Sequence, residues 1–496
     1  MDKRECGVLL HVSSLPSNHG IGTFGRSAYE FVDFLIEAGQ TYWQVLPLGP
    51  TSYGDSPYQS FSTFAGNPYF IDLDFFVIDG FLEQSDLEGI NWGTEPMYVD
   101  YAHIYENRFG VLRKAYKNFM ERGNLEALSA FCEKEAEWLD SYALFMALKN
   151  LHGGKCWREW EKPFYSRNKR ALEKFAKENG EELGFWKFLQ YEFNRQWKNL
   201  KNYANERGIK IIGDLPIYVA DDSSDVWANP ELFDFDKERR PRNVAGVPPD
   251  YFSENGQLWG NPIYNWKKQK KDGYSWWIKR LSACKEKYDV LRIDHFRAFA
   301  DYYCIPFGSE TAKTGEWKTG PGMDLFSKVF EELKDYPIIA EDLGDLSPAV
   351  FKLLEESGLP GMKILEFAFG SDDPNNECLP YNFKKNCVCY PGTHDNMPVA
   401  GWLETASEFE IGFCKEYINY KEGEDFCDAF IKAVLGTPCN TAIISMQDWL
   451  GTGKYTRMNT PSTSGGNWQW RLLKGQTNRE LAERMRHHAK LYGRLR

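Results

Sequence analysis

Tyr288-Asp289-Val290-Leu291-Arg292-Ile293-Asp294-His295 is the stretch on which the reading of this chain turns. Four mostly aliphatic residues, Val290 to Ile293, close on an acid. A buried parallel strand reads as such an unbroken apolar run, and its last residue emerges at the catalytic face of an α/β fold. Residues two apart on a strand share a face. Arg292 and Asp294 are therefore expected to project into the same space. Two further runs end in the same way. Pro337-Ile338-Ile339-Ala340 leads to Glu341-Asp342, and Cys387-Val388-Cys389-Tyr390 leads through Pro391-Gly392-Thr393-His394 to Asp395. Acids converging at one place are costly unless chemistry uses them.

Working outward, eight strand-like runs appear in order: Gly7–Val12, Tyr42–Leu48, Ile209–Val219, Val290–Ile293, Pro337–Ala340, Met362–Phe369, Asn386–Tyr390 and Thr441–Met446. Helical patterns separate them, as in Ser27 to Ile36, which stops near Gly39, and in Phe326 to Leu333 and Val350 to Leu354. Eight strands alternating with helices predict a (β/α)8 TIM barrel of the α/β class. The spacing is uneven, which predicts large, mainly helical insertions in the βα loops. The chain is read as one catalytic barrel over 1–496, with an inserted helical subdomain over 51–208 whose clearest helical periodicity lies in 105–205. Two stretches, 244–265 and 458–467, are rich in Gly and Pro or polar residues and read as active-site loops.

Lys plus Arg total 59 against 71 Asp plus Glu, a net charge of -12. Nucleic-acid binding needs clustered Lys and Arg, so a polyanionic partner is excluded; Lys267 to Lys271 is a short solvated face. The 17 Trp, 27 Tyr and 34 Phe serve a core, and ring faces also stack on sugars. Eleven Cys without a metal-type spacing fit a reduced, cytoplasmic protein. The apolar run after the N-terminus is too short for a signal peptide, and no run is long enough for a membrane span, so no membrane partner is expected.

The residues allow a specific chemistry. A guanidinium at Arg292 beside Asp294 is expected to hold that carboxylate ionised, as a nucleophile requires, although a structural ion pair has the same pattern. Glu341 follows apolar residues and precedes Asp342; both influences raise a carboxyl pKa and suit a general acid, while a helix-capping Glu fits the same fragment. Asp395 and His394 share a turn from which hydrogen bonds can reach sugar hydroxyls, or which is simply an Asx motif. Asp214, in Gly213-Asp214-Leu215-Pro216, is a further polar strand end. One ionised and one protonated carboxyl define glycosidic-bond machinery. No metal-ligand spacing, Walker loop or G-x-S-x-G elbow is present. Gly20-Ile21-Gly22-Thr23-Phe24-Gly25 matches a dinucleotide pattern by letter and has no ribose-binding acid at the right distance.

Taken together, the motifs resemble the 4-α-glucanotransferases called amylomaltases or disproportionating enzymes, of the α-amylase clan. The resemblance covers nearly the whole chain. It runs through Gly7 to His11, Ser14-Leu15-Pro16, Gly39-Gln40, Trp43 to Thr51, Gly54 to Ser60, Ala65 to Pro68, Gly213 to Val219, Arg292 to Arg297, Ala340 to Gly344 and Gly392 to Asn396. It implies Asp294 as nucleophile, Glu341 as acid/base and Asp395 as transition-state stabiliser. It further implies Arg292, Asp214 and His394 around the sugar at the cleavage point, Ser56, Tyr58, Trp259 and His295 along the glucan path, and Tyr53 as a secondary glucan contact. Ala298 stands where many relatives carry Gly, a change that matters if φ is positive there.

The implied activity is transfer of α-1,4-glucan segments between maltodextrins by a retaining double displacement. The donor and acceptor are maltooligosaccharides or glucose, with no cofactor and no metal. An α-glucan hydrolase and a non-catalytic glucan-binding protein are the alternatives. The sequence sets no oligomeric state.

Overall fold

A computed structural model describes residues 3–52, 54–249, 253–463 and 465–496. Its strands in chain order are β1 (Glu5–Leu9), β2 (Tyr42–Gln44), β3 (Lys210–Pro216), β4 (Asn243–Val247), β5 (Gln257–Pro262), β6 (Val290–Asp294), β7 (Asp301–Pro306), β8 (Glu316–Thr319), β9 (Ile338–Ala340), β10 (Gly361–Ile364), β11 (Cys387–Tyr390) and β12 (Thr441–Ser445). Eight of them form one parallel sheet in the order β10-β11-β12-β1-β2-β3-β6-β9. Each strand of this set lies beside the one before it in the chain, the connectivity of a (β/α)8 barrel. At the seam the Ala340 N–H donates to Pro360 O (2.9 Å) and the Met362 N–H to the Asp342 carboxylate (2.6 Å), which nearly closes the sheet on itself.

These eight strands fall on the eight predicted runs, with ends shifted by a few residues: β1 starts at Glu5, β6 runs on to Asp294, and most of the others end earlier. Pairing from β2 continues only to Val45, whose N–H reaches Ile212 O (2.9 Å), before Pro47 removes a donor. The run read as Met362–Phe369 turns after Ile364 into a 3-10 helix, Leu365–Ala368. The helix expected over Ser27 to Ile36 spans Arg26–Glu37 and stops before Gly39, whose φ of 67° ends it.

Between β2 and β3 run the long helices Tyr101–Arg122, Leu125–Leu151 and Gly180–Glu206. The last of these is flanked by two crossover helices. Its Tyr203 ring lies 4.8 Å from Tyr29 on Arg26–Glu37, and its Trp197 indole N–H donates to Lys287 O (3.0 Å) at the end of Ser275–Lys287. It thus occupies the position of the barrel's own helix, so the stretch 51–208 holds more than inserted structure.

The stretch 244–265, expected to be a loop, is largely a hairpin. β4 and β5 pair antiparallel and join β7 and β8 in a separate four-stranded sheet, β5-β4-β7-β8. The glycines and prolines that suggested a loop sit at its bulge and ends, between Val244 and Gly246 and at Pro262. Ala298 lies in the buried 3-10 turn Phe296–Phe299, outside the left-handed region, so the expected narrowing there does not arise. The dinucleotide-like glycines are packing glycines: a Cβ at Gly22 would sit 1.9 Å from Val12 O, and one at Gly25 2.0 Å from the Asp72 carboxylate.

Alternation along the strands builds two cores. Leu9, Tyr42, Ile212, Val290, Ile339, Met362, Val388, Tyr390 and Ile443 pack together as one cluster inside the barrel. Their chain neighbours Val8, Trp43, Ile211, Leu291, Ile338, Cys389 and Ala442 belong to the second core, under the helices. At Gly213 the outward position is empty because the Tyr288 ring fills it; a Cβ there would lie 2.2 Å from that ring. Gly213→Ala should therefore overpack the wall by about 1–3 kcal/mol and lower the thermal unfolding midpoint. An unchanged midpoint would contradict this packing.

Candidate active site

The inward face of β6 carries Val290, then Arg292, then Asp294. The inward face of β3 carries Ile212, then Asp214. Parallel register sets Asp214 opposite Arg292 and Pro216 opposite Asp294. Arg292 Nη1 donates to both Asp214 oxygens, at 2.8 and 2.6 Å, and Nη2 lies 3.0 Å from Asp294 Oδ1. Arg292 is 3% exposed and Asp214 2%. The guanidinium is thus held between two carboxylates at the top of the barrel interior.

Glu341 continues the inward face of β9 beyond Ile339. Its N–H donates to Ile293 O (3.0 Å) and its carbonyl accepts from Phe296 N–H (3.0 Å), which locks it beside β6. Its carboxylate accepts the His295 N–H at Oε2 (2.6 Å) and the Leu343 N–H at Oε1 (3.0 Å). His295 aims that N–H from a left-handed backbone conformation, φ 54°, a geometry costing about 1–3 kcal/mol outside glycine.

Asp395 leaves β11 through the turn Gly392 to Asn396. His394 Nε2 lies 3.4 Å from its Oδ1. The His394 ring stacks on Tyr58, with centroids 5.2 Å apart and planes within 10°. The Tyr58 hydroxyl in turn donates to Asp214 Oδ2 (2.7 Å). A continuous network therefore runs from Asp395 through His394, Tyr58 and Asp214 to Arg292 and Asp294. Ser56 Oγ accepts the Tyr58 N–H (3.3 Å), and the Trp259 ring meets His295 edge-on at 4.7 Å. The structure thus brings together Asp294, Glu341, Asp395, Asp214, Arg292, Tyr58, His394, His295, Trp259 and Ser56. Tyr53 lies outside the described residues.

Burial raises the Asp294 pKa well above the usual carboxylate range, and Arg292 opposes this. Glu341 is also pushed up, first by burial; Arg292 and the His295 and Leu343 N–H groups oppose, and Asp342 adds to the rise. Burial thus opposes the charged form of both carboxyls, and the Glu341 charge adds to the rise at Asp294. Arg292 opposes the rise at both, with its Nη2 3.0 Å from Asp294 Oδ1. Burial lowers the pKa of His394, and of His295 to about 3, so both rings are neutral near pH 7.

Three residues in the site carry no local sequence signal. Asn459 Nδ2 donates to Asp395 Oδ1 (2.6 Å), Arg457 Nη2 donates to Asp395 O (2.5 Å), and the Trp468 ring lies 5.8 Å from both Tyr58 and His394. Among the described residues no group of three or more His, Cys, Asp or Glu side chains is placed to hold a metal ion. No described helix is long and apolar enough to cross a membrane.

Fold and site together define a parallel-barrel protein with carboxylates gathered at the C-terminal strand ends. A family model described as 4-alpha-glucanotransferase matches residues 10–477, and the chain belongs to that family. It is 50% identical to a 4-alpha-glucanotransferase of Clostridium butyricum, over 98% of this chain and 100% of that one. It is 46% identical to one of Thermus thermophilus, over 99% of each chain. The solved amylomaltase from Streptococcus agalactiae in complex with acarbose superimposes with a TM-score of 0.98 at 43% identity, covering 100% of both chains.

Turnover should be bell-shaped in pH. With Asp294 as the ionised group and Glu341 as the proton donor of the proposed reaction, activity should fall on the acid side as Asp294 gains a proton and on the alkaline side as Glu341 loses its own. Asp342 disfavours ionised Glu341, so Asp342→Asn lowers the Glu341 pKa and moves the alkaline limb of kcat/KM to lower pH. A limb that moves upward contradicts this assignment. Asp214→Ala leaves Arg292 short of its main counter-charge inside the barrel and should cost about 3–5 kcal/mol of stability, read as a lowered unfolding midpoint.

Proposed function

We propose that this 4-α-glucanotransferase disproportionates α-1,4-glucans by a retaining double displacement. The observation that carries the reading is Asp294 on the same inward face as Arg292, 3.0 Å from its guanidinium, with Glu341 held beside it by two backbone N–H groups. Glu341, protonated, delivers its proton to the departing glycosidic oxygen while Asp294 attacks the anomeric carbon. A glucosyl-Asp294 ester forms and the reducing-end fragment leaves. Glu341, now a base, takes the proton of an incoming glucan 4-hydroxyl, which attacks the ester and gives a new α-1,4 bond.

Asp395, Asp214, Arg292 and His394 surround the reacting sugar in this reading. Neutral His394 offers a hydrogen bond without adding charge beside the cationic transition state. Ser56, Tyr58, Trp259 and His295 line the glucan path. Transfer needs an acceptor positioned better than water. The 458–467 loop and the β4–β5 hairpin are the proposed cover, since the hairpin brings Trp259 to His295 and is tied down where Gln59 Nε2 donates to Asn261 Oδ1 (3.1 Å). Maltooligosaccharides and glucose serve as donors and acceptors, within starch or glycogen metabolism in the cytoplasm. The acarbose seen in the amylomaltase from Streptococcus agalactiae supports a sugar at this site. The free state of all eleven cysteines fits a reducing compartment.

Incubated with maltotriose, the enzyme should release glucose and longer maltodextrins while total reducing ends stay nearly constant. A steady rise in reducing ends identifies a hydrolase instead. Asp294→Ala should lower turnover by about a thousandfold or more; retained turnover removes Asp294 from the mechanism.

A further inference from the structure

Asp395 is placed differently from the other two acids. Asp294 ends a strand and Glu341 directly follows one, each pinned by ladder-like backbone bonds. Asp395 lies five residues beyond Tyr390, at the end of β11, and its side chain is 41% exposed. Nearby, the Thr393 hydroxyl accepts its N–H (3.3 Å) and His394 Nε2 lies 3.4 Å from Oδ1; the further grip comes from a distant part of the chain. Asn459 Nδ2 donates to Asp395 Oδ1 (2.6 Å), and the Asn459 N–H donates to His394 O (3.1 Å). Arg457 donates from Nη2 to Asp395 O (2.5 Å) and from Nε to Asn459 O (2.8 Å). Side chain and main chain of the acid are gripped together.

The grip sits at the neck of the 458–467 loop. The Trp468 N–H closes that neck onto Met458 O (2.6 Å), and the Trp468 carbonyl accepts the Tyr101 hydroxyl (2.8 Å). Trp468 takes a left-handed backbone, φ 65°, and lays its ring against Tyr58 and His394. Both feet of the loop therefore bear on the walls around Asp395.

We propose that Arg457 and Asn459 are positioning residues: they fix the direction of the Asp395 carboxylate, so that the seating of the 458–467 loop is felt at the transition-state stabiliser. This rests on the reading of Asp395 as that stabiliser. Asn459 occupies Oδ1 and so sets where Oδ2 points, while Arg457 fixes the backbone that carries both residues. A carboxylate displaced by about 1 Å loses roughly a hundredfold in rate with little change in ground-state binding.

The test is a kinetic cycle with an α-maltosyl fluoride donor, whose activated leaving group keeps slow variants measurable. Asn459→Ala should lower kcat by about 10- to 100-fold while KM stays within about threefold. Asn459→Asp keeps the side chain's shape, removes the donor and should lose at least as much. In an Asp395→Asn background, Asn459→Ala should cost less than about threefold more, because a residue acting only through Asp395 has nothing left to position. Arg457→Lys should show the same split between kcat and KM. A kcat within twofold of wild type in either Asn459 variant overturns the proposal, as does a full, multiplicative penalty in the Asp395→Asn background. Near-normal turnover of Asp395→Asn alone overturns the stabiliser reading, and the proposal with it.

Discussion

The structure depends on one buried cation. A guanidinium in a barrel interior has left water, a transfer that costs several kcal/mol unless opposite charges and hydrogen bonds replace the lost solvation. Arg292 finds them in Asp214 across the ladder and Asp294 two residues along its own strand. The pairing requires the β3–β6 register as it stands. A one-residue slip would turn Asp214 outward, toward the helix layer where Tyr288 packs against Gly213. The ion cluster thus ties strand register to the placement of the nucleophile.

The same burial supplies the chemistry. Burial raises Asp294 and Glu341 together, the Glu341 charge adds to the rise at Asp294, and the guanidinium opposes the rise at both. The backbone N–H groups of His295 and Leu343 soften the rise at Glu341, which in the proposed mechanism lets one group give a proton in the first half-reaction and take one in the second. Neutral His394 and Tyr58 extend the network to Asp395 without adding charge.

Much of this was legible in the chain itself. Period-two alternation in Val290 to Asp294 placed Arg292 and Asp294 on one face, and the structure has them there. The eight apolar runs gave the barrel, since a strand buried on both faces leaves a continuous signal. What failed to show depended on contacts between distant segments. The β4–β5 hairpin carries Gly260 inside β5 and Gly256 and Pro262 at its ends, residues that locally signal a loop. β7, Asp301–Pro306, carries a strand-like Tyr302-Tyr303-Cys304-Ile305 that the barrel count passed over. Arg457, Asn459 and Trp468 sit in polar sequence whose role arises only when it folds back on Asp395. The pairing of Arg292 with Asp214 needed the register between two strands whose paired residues lie 78 positions apart, and the raised pKa of Asp294 needed its burial.

In the proposed mechanism Asp294, held by Arg292, forms the covalent bond to the sugar. Glu341→Gln supplied with α-maltosyl fluoride tests it most directly. Fluoride departs without acid assistance, but the missing base stalls the second step, so the intermediate accumulates. The predicted result is a maltosyl mass increment on the peptide carrying Asp294, of α configuration in the eventual product. Fluoride release with no adduct and a β-configured product, or an adduct on another residue, would contradict the account.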